Sequence, residues 1–367
     1  MDKNNYKLLT PGPLTTTETV KEAMQIDRCT WDEDYKNMTQ EIRTGLLKLA
    51  HADNGDYTTV LMQGSGTFGV ESVLSGVISS TDKVLVLQNG AYSKRMVEMC
   101  DYHGIKYVVY EEDYAHVPDP AIVEDVLKSD GNITHISMVH SETTSGLLND
   151  IAAIGELAKK YNKKFIVDAM SSFGGVDINV PELGITYLVS SANKCIQGVP
   201  GFSFIIAKVS DLKQTKGIAR SLSLDLYAQW ETMEKDGGKW RFTSPTHVVA
   251  AFSQALKELA AEGGITARNA RYTATNRALR KGMEELGFKA YIDEAHQGPI
   301  ITTFFYPENC KFTFAKMYAY LKDHGYVIYP GKLTDAETFR LGNIGEIYMD
   351  DVEKILGIFK DFVSAEN

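Results

Sequence analysis

Hydrophobic positions divide the chain into short, continuous apolar runs and longer amphipathic segments. Between about residue 58 and residue 208 the two kinds alternate, as repeated strand–helix–strand units require. Continuous apolar runs bounded by turn residues are typical of strands that are buried on both faces of a parallel sheet. The predicted strands are 58–62, 84–88, 106–110, 135–140, 165–168, 187–191 and 202–207, and helices are predicted near 67–79, 91–103 and 151–161.

The second part of the chain has a different pattern. Apolar positions at helical spacing predict a long helix that stops at Gly263-Gly264, and Thr266 is the expected cap of a second helix that continues to Gly287. Strands are predicted at 300–306, 326–329 and 338–341, and helices near 313–324 and 350–363. The pattern therefore predicts an α/β protein with a large domain, 1–255, and a smaller C-terminal α+β domain, 256–367. The segment 1–20 could pack on the small domain.

Two of the predicted strands lead to residues of opposite charge. One ends in Asp168, and the other runs from 187 into Lys194. Ligands of parallel sheets bind beyond the carboxyl ends of the strands. An amine and a carboxylate at that edge suggest a pyridoxal phosphate site, in which Lys194 forms a Schiff base and Asp168 keeps the pyridine nitrogen protonated. Either residue alone is more commonly a solvated charge or a helix cap.

A glycine-rich turn, GSGTFG (64–69), follows the first of these strands and opens a helix. The spacing fits a dinucleotide fingerprint, which makes a nicotinamide dehydrogenase a rival interpretation. That fold places an acidic residue at the end of the next strand, where this chain has Gln88-Asn89. A single phosphate suits the turn equally well, because free N–H groups at a helix N-terminus attract anions. Tyr92 follows the next strand and could stack on a flat ring.

Composition limits the classes of protein that remain. The 367 residues exceed the usual size of a single core, and the formal net charge of −10 argues against a nucleic-acid or anionic-membrane surface. No apolar run approaches the ~20 residues of a membrane span, and residues 1–5 lack the apolar region of a signal peptide. Four scattered cysteines and eight histidines without ligand spacing favour neither disulfides nor a metal site. We therefore expect a cytoplasmic protein.

At this point the residues match a known family. The chain resembles the class V aminotransferases of pyridoxal phosphate fold type I over nearly its whole length. The segments that carry the resemblance are LLTPGPL (8–14), CTWD (29–32), MVHSETT (138–144), VDAMSSFGG (167–175), SSANKCIQGVPG (190–201), SLSLDLY (221–227), WRFTSPT (240–246) and FRLGNIG (339–345). The resemblance implies a large domain with a mostly parallel seven-stranded sheet flanked by helices and a smaller C-terminal α+β domain.

The resemblance also implies a role for individual residues. Lys194 and Asp168 would be the catalytic pair, and Tyr92 the stacking ring. The remaining cofactor-binding positions would be Ser65, Gly66, Thr67 and Ser191 at the phosphate, Thr143 at the ring hydroxyl (with the adjacent Thr144 left open), Asn193 beside Lys194, and Thr243 from the second subunit of a homodimer with shared active sites. Arg340 matches the arginine that binds the acidic group of the substrate.

The activity that the resemblance implies is transamination between 2-aminoethylphosphonate and pyruvate, which gives phosphonoacetaldehyde and alanine in phosphonate catabolism. A class V enzyme for another small amino acid, of the alanine–glyoxylate or serine–pyruvate type, is the alternative, because Arg340 would serve its substrates too. A cysteine-desulfurase-like lyase has less support, since Cys310 lacks flexible Gly- or Ser-rich surroundings. A nicotinamide dehydrogenase and a non-enzymatic cofactor-binding protein are the interpretations from other classes.

Overall fold

A computed structural model of the chain describes residues 6–308, 310–331, 333 and 337–366. The five N-terminal residues used to exclude a signal peptide lie outside this part. Its strands are β1 (Lys7–Leu9), β2 (Tyr57–Gln63), β3 (Lys83–Gln88), β4 (Lys106–Glu111), β5 (His135–Val139), β6 (Ser141–Glu142), β7 (Leu147–Leu148), β8 (Lys164–Asp168), β9 (Ile185–Ser191), β10 (Phe202–Lys208), β11 (Ile301–Phe305), β12 (Tyr326–Pro330) and β13 (Thr338–Gly342).

The helices lie between and after these strands. They are α1 (Glu18–Glu22), α2 (Glu33–Leu49), α3 (Gly66–Val77), α4 (Ala91–His103), α5 (Pro120–Ser129), α6 (Ile151–Lys160), α7 (Val209–Leu212), α8 (Leu226–Lys235), α9 (Thr246–Glu262), α10 (Gly264–Glu285), α11 (Phe314–Asp323) and α12 (Met349–Glu366). Short 3₁₀ turns occupy Ala23–Gln25, Lys213–Thr215 and Glu294–His296. No helix in the described ranges is long and apolar enough to cross a bilayer.

The large sheet has seven strands in the order β2-β10-β9-β8-β5-β3-β4. β10 is antiparallel to both of its neighbours, and the remaining strands share one direction. Leu85 and Leu87 of β3 belong to one buried cluster, whereas Val84 and Val86 belong to another. Both faces of the sheet are therefore buried, which explains why its strands are continuous apolar runs. The predicted fold class is confirmed.

A second sheet has four strands in the order β1-β12-β13-β11. β1 lies near the N-terminus and pairs in parallel with β12, with Lys7 opposite Tyr326. The residues after β1 run from this sheet towards the carboxyl edge of the large one. The division predicted at 255/256 falls inside α9 and stays a prediction.

The structure corrects two local expectations. Thr266 does not cap a helix, because α10 already begins at Gly264. Gly263 has φ = 109° and ends α9 in a left-handed conformation, so the chain turns directly into the next helix. Lys194 is not the last residue of a strand either: β9 ends at Ser191, and Lys194 lies in the turn that follows.

Candidate active site

The carboxyl edge of the large sheet surrounds an open cavity with an empty volume of about 730 Å³. β8 and β9 are neighbours, with Asp168 opposite Val189, so their C-terminal ends open into the same space. Eight predicted site residues line the cavity together: Ser65, Gly66, Thr67, Tyr92, Asp168, Ser191, Asn193 and Lys194. Val70, Arg95, Met99, Val139, Ser141, Met170 and Ser171 complete the lining.

The amine of Lys194 is held by backbone oxygen rather than by a carboxylate. Its Nζ donates to the carbonyl oxygen of Pro11 at 2.7 Å. Burial lowers the Lys194 pKa, the positive charge of Arg340 lowers it further, and Tyr92 and Asp168 oppose the shift. A lysine with a lowered pKa is more often neutral near pH 7, which nucleophilic or basic chemistry requires.

Asp168 is a buried carboxyl group with few partners. The residue is 6% exposed, and the one hydrogen bond of its side chain among the described residues is accepted by Oδ1 from the N–H of Met170 at 2.9 Å. Burial, with a contribution from the nearby Glu142, raises the Asp168 pKa to about 7, although Lys194 and Arg95 oppose this. A cationic N–H group at hydrogen-bond distance would stabilise the ionised form of such a buried carboxyl group.

The N-terminus of α3 forms one wall of the cavity. Ser65 precedes the helix and its side chain caps none of the first N–H groups. A Cβ on Gly66 would collide with the end of the Met170 side chain, so a larger residue there would displace that side chain within the cavity wall. Free N–H groups and the helix dipole make this wall suitable for a phosphate group.

Glu142 holds the start of α4, the helix that carries Tyr92. Its carboxylate is 0% exposed and accepts from the N–H groups of Tyr92 and Ser93 at 3.3 Å, and from the hydroxyl of Thr144 at 2.7 Å. Burial raises the Glu142 pKa, and these donors oppose the shift. The Thr144 hydroxyl also accepts from the N–H of Ala91 at 3.2 Å. Thr144 is therefore engaged at the helix terminus, which favours Thr143 as the candidate for a ring contact.

Three predicted site residues do not line the cavity. Thr143 is buried beside it, and its carbonyl oxygen accepts from Nη1 of Arg340 at 3.0 Å. Arg340 is 6% exposed, and its Nε donates to the carbonyl oxygen of Pro330 at 3.0 Å. Thr243 is exposed, and its carbonyl oxygen accepts from the Gln63 side chain.

Sequence reasoning did not single out Arg95, Glu142 or the carbonyl of Pro11. Arg95 lies three residues after Tyr92, so helical spacing could have placed both on one face of α4. Glu142 follows a buried strand at the predicted ligand edge, which was a comparable signal. No local pattern marks the Pro11 carbonyl, because its contact with Lys194 joins distant parts of the chain.

These features fit pyridoxal phosphate. The buried Asp168 lacks a cationic partner at hydrogen-bond distance within the described residues, as the pyridine nitrogen would require. The open N-terminus of α3 suits the phosphate, and the desolvated Lys194 suits the aldehyde.

Comparison with known proteins agrees with this chemistry. The family described as "Aminotransferase class-V" matches residues 28–333. The 2-aminoethylphosphonate–pyruvate transaminase of Lysinibacillus sphaericus is 56% identical over 364 residues and covers 99% of both chains. The bifunctional phosphonoacetaldehyde hydrolase/aminoethylphosphonate transaminase of Clostridioides difficile is 54% identical over 99% of this chain, which spans 57% of that protein.

A solved structure supports the fold. Pyridoxamine–pyruvate aminotransferase from Mesorhizobium loti has a TM-score of 0.88 at 24% identity and covers 98% of this chain and 92% of its own. At that identity the likeness concerns the fold alone. The family match covers more than half of the chain, and the relative from L. sphaericus extends the similarity over nearly its full length. The chain therefore belongs to the class V aminotransferases, which are pyridoxal phosphate enzymes.

Proposed function

We propose that this enzyme transfers the amino group of 2-aminoethylphosphonate to pyruvate, giving phosphonoacetaldehyde and L-alanine in phosphonate catabolism. The observation that carries the proposal is the near-full-length identity to transaminases of that name, 56% for the L. sphaericus protein. The geometry supports it, because a desolvated lysine and a buried aspartate line one cavity, and the buried Arg340 is near enough to Lys194 for its charge to lower the Lys194 pKa.

Bound pyridoxal phosphate supplies an electron sink for the carbon that carries the amino group. Lys194 is the proposed base at that carbon: its amine removes a proton from C2 of 2-aminoethylphosphonate, the carbon that carries the amino group. Desolvation favours the neutral amine that this step requires. In the return direction the protonated amine gives the proton to C2 of the group derived from pyruvate.

Asp168 is the proposed partner of the pyridine nitrogen. Its Oδ1 is fixed by the N–H of Met170, so the carboxyl group has a defined orientation before the cofactor binds. A positive charge at hydrogen-bond distance would stabilise the ionised carboxylate and thereby offset the effect of burial.

Arg340 is the proposed anchor for the acidic group of either substrate. Two backbone carbonyl oxygens orient its guanidinium through Nε and Nη1. The guanidinium also contacts the Tyr92 side chain, and its remaining N–H donors can meet a phosphonate or a carboxylate. One anchor can therefore serve the amino donor and the amino acceptor in turn.

A homodimer with shared sites is part of the same proposal. Thr243 lies outside the cavity on an exposed segment, next to the exposed Phe242 and near Phe68. An exposed apolar surface of this kind is typical of an interface. Mixing Lys194→Ala and Thr243→Ala chains tests sharing, because a mixed dimer would regain one intact site. No recovery of activity over the separate variants would contradict it.

The cytoplasmic location stays a prediction.

Single-turnover spectroscopy tests the proposed substrate. The cofactor-loaded enzyme is mixed with 2-aminoethylphosphonate, alanine, serine or glycine, and the loss of the cofactor's visible absorbance is followed. We expect the fastest loss with 2-aminoethylphosphonate. Faster loss with serine or glycine would favour a class V enzyme for another small amino acid. An absorbance that no amine changes would favour a cofactor-binding protein without transaminase activity.

A further inference from the structure

Arg95 is a cation in the cavity that the proposed chemistry leaves without a role. It lies on α4 and lines the cavity together with Ser65, Gly66 and Thr67. We propose that Arg95 binds the phosphate group of the cofactor, as the charged member of the site formed by the N-terminus of α3. The inference rests on the cofactor of the proposed function and is independent of the amino donor.

The contacts of Arg95 direct it to that wall of the cavity. Its Nη1 donates to Oγ1 of Thr67, the second residue of α3, at 3.1 Å. Its guanidinium carbon lies 5.1 Å from the centre of the Tyr92 ring. Arg95 therefore joins the turn at the start of α3 to the ring expected to stack on the cofactor.

The charge of Arg95 is not neutralised within the described ranges. None of the ion pairs found there includes Arg95, and the contact with Thr67 is the one hydrogen bond found for its five N–H donors. The side chain is half-buried, so water compensates its charge less well than at an open surface. A guanidinium in this position favours an anionic partner with several acceptor oxygens.

The phosphate group needs such a charge. Ser65, Gly66, Thr67 and Ser191 are neutral, and a phosphate monoester carries a charge of about −1.5 to −2 near pH 7. Among the described residues that line the cavity, only Arg95 and Lys194 are basic. Lys194 is committed to the aldehyde end, and Arg340 does not line the cavity. Arg95 is thus the cation available to the phosphate.

The test compares two aldehydes that differ in the phosphate alone. Apoenzyme is titrated with pyridoxal phosphate and with pyridoxal, and the dissociation constants are measured by absorbance without any amine substrate. For Arg95→Gln we expect the constant for pyridoxal phosphate to rise about 10- to 100-fold, as loss of a charge-assisted contact implies. The constant for pyridoxal should change less than about threefold. Lys94→Gln, an exposed neighbour on α4, is the matched control and should change neither.

Two further variants separate binding of phosphate from a structural effect. Tyr92→Leu should raise the dissociation constants of pyridoxal and pyridoxal phosphate by the same factor, because both molecules carry the ring that stacks on Tyr92. Arg95→Lys keeps the charge, so it should bind pyridoxal phosphate more tightly than Arg95→Gln. Should Arg95→Gln not fold, Arg95→Met is titrated in its place, and competition by inorganic phosphate in wild type and Arg95→Lys gives the same comparison.

Specific results would overturn the assignment. If Arg95→Gln weakened the binding of pyridoxal and of pyridoxal phosphate equally, Arg95 would act through Tyr92 or through the fold. Unchanged binding of both, with a raised KM for 2-aminoethylphosphonate, would place Arg95 at the substrate instead. In either case the proposed transamination could still stand, because these titrations contain no amino donor.

Discussion

The Nζ of Lys194 lies 2.7 Å from the backbone carbonyl oxygen of Pro11. Pro11 follows β1, which pairs with β12 in the four-stranded sheet, whereas Lys194 follows β9 of the seven-stranded sheet. The segment after β1 therefore connects the two sheets at the candidate lysine. A carbonyl oxygen accepts from either the neutral or the charged amine, so it can orient Lys194 without fixing its charge.

Gly12 makes this approach possible and provides the first prediction. It has φ = 109°, and a Cβ there would lie 2.7 Å from Cδ and 2.9 Å from Nζ of Lys194. Gly12→Ala should lower kcat about 10- to 100-fold by displacing the amine, and steady-state kinetics measures this. Gly55→Ala is the control for backbone strain, since Gly55 has φ = 95° and a Cβ there would meet no described residue within 4 Å. A similar loss of kcat in both variants would contradict the explanation.

Asp168 predicts how the stability of the apoenzyme depends on pH. Its pKa rises from 3.8 to about 7 on folding, so the folded state holds its proton more tightly. The stabilisation from this proton is complete below pH 3.8, decreases as pH rises and is lost above pH 7. Relative to Asp168→Asn, wild-type apoenzyme should lose about 3 kcal/mol of unfolding free energy between pH 4.5 and pH 8.

Urea unfolding of both proteins without cofactor measures this difference. The comparison subtracts His135 and His140, which titrate in both proteins, and it reports Asp168 together with its interaction with the charge of Glu142. The amide oxygen of Asn can still accept from the N–H of Met170. Parallel stability curves over the whole pH range would mean that Asp168 is already ionised in the apoenzyme.

The close approach of Gly90 and Glu142 provides a third prediction. A Cβ at Gly90 would collide with the Glu142 carboxylate, although φ = 177° is extended backbone that any residue adopts. Gly90→Ala should therefore destabilise the protein by about 1–3 kcal/mol through overpacking alone. A shorter side chain at position 142 leaves room for the new Cβ. The double variant Gly90→Ala with Glu142→Asp should therefore regain part of the lost free energy of unfolding. Gly131→Ala is the control, because a Cβ at Gly131 would contact nothing within 4 Å in the part of the chain that the structure describes. Absence of rescue in the double variant, measured by urea unfolding, would count against the contact.

Arg340 should affect both halves of the proposed reaction. Lysine has a single ammonium group in place of the planar guanidinium. It would therefore lose the two contacts with backbone carbonyl oxygens that orient the Arg340 side chain. Arg340→Lys should raise the KM for 2-aminoethylphosphonate and for pyruvate by about 10- to 100-fold each. Arg277→Lys, an exposed position on α10, should leave both values unchanged. An effect confined to one substrate would mean that the two acidic groups bind at different places.

The edge of the sheet was predictable from sequence, because buried parallel strands are continuous apolar runs and their carboxyl ends share one edge. The sequence pattern therefore predicts that Lys194, Asp168, Tyr92 and the glycine-rich turn lie around one space. The cap at Thr266 was wrong because the left-handed turn at Gly263 brings the helix start forward. The contacts of Lys194 with Pro11, and of Glu142 with α4, join distant segments, and apolar periodicity carries no information about such contacts.

Analysis of both products by NMR tests whether the enzyme transfers the amino group of 2-aminoethylphosphonate to pyruvate. Purified enzyme loaded with pyridoxal phosphate is incubated with 2-aminoethylphosphonate and pyruvate, and phosphonoacetaldehyde and alanine are quantified by phosphorus and proton spectra. We expect equal amounts of the two products in wild type and neither product with Lys194→Ala. Absence of phosphonoacetaldehyde from wild type, while the same preparation transfers an amino group between alanine and glyoxylate, would contradict the proposed transfer.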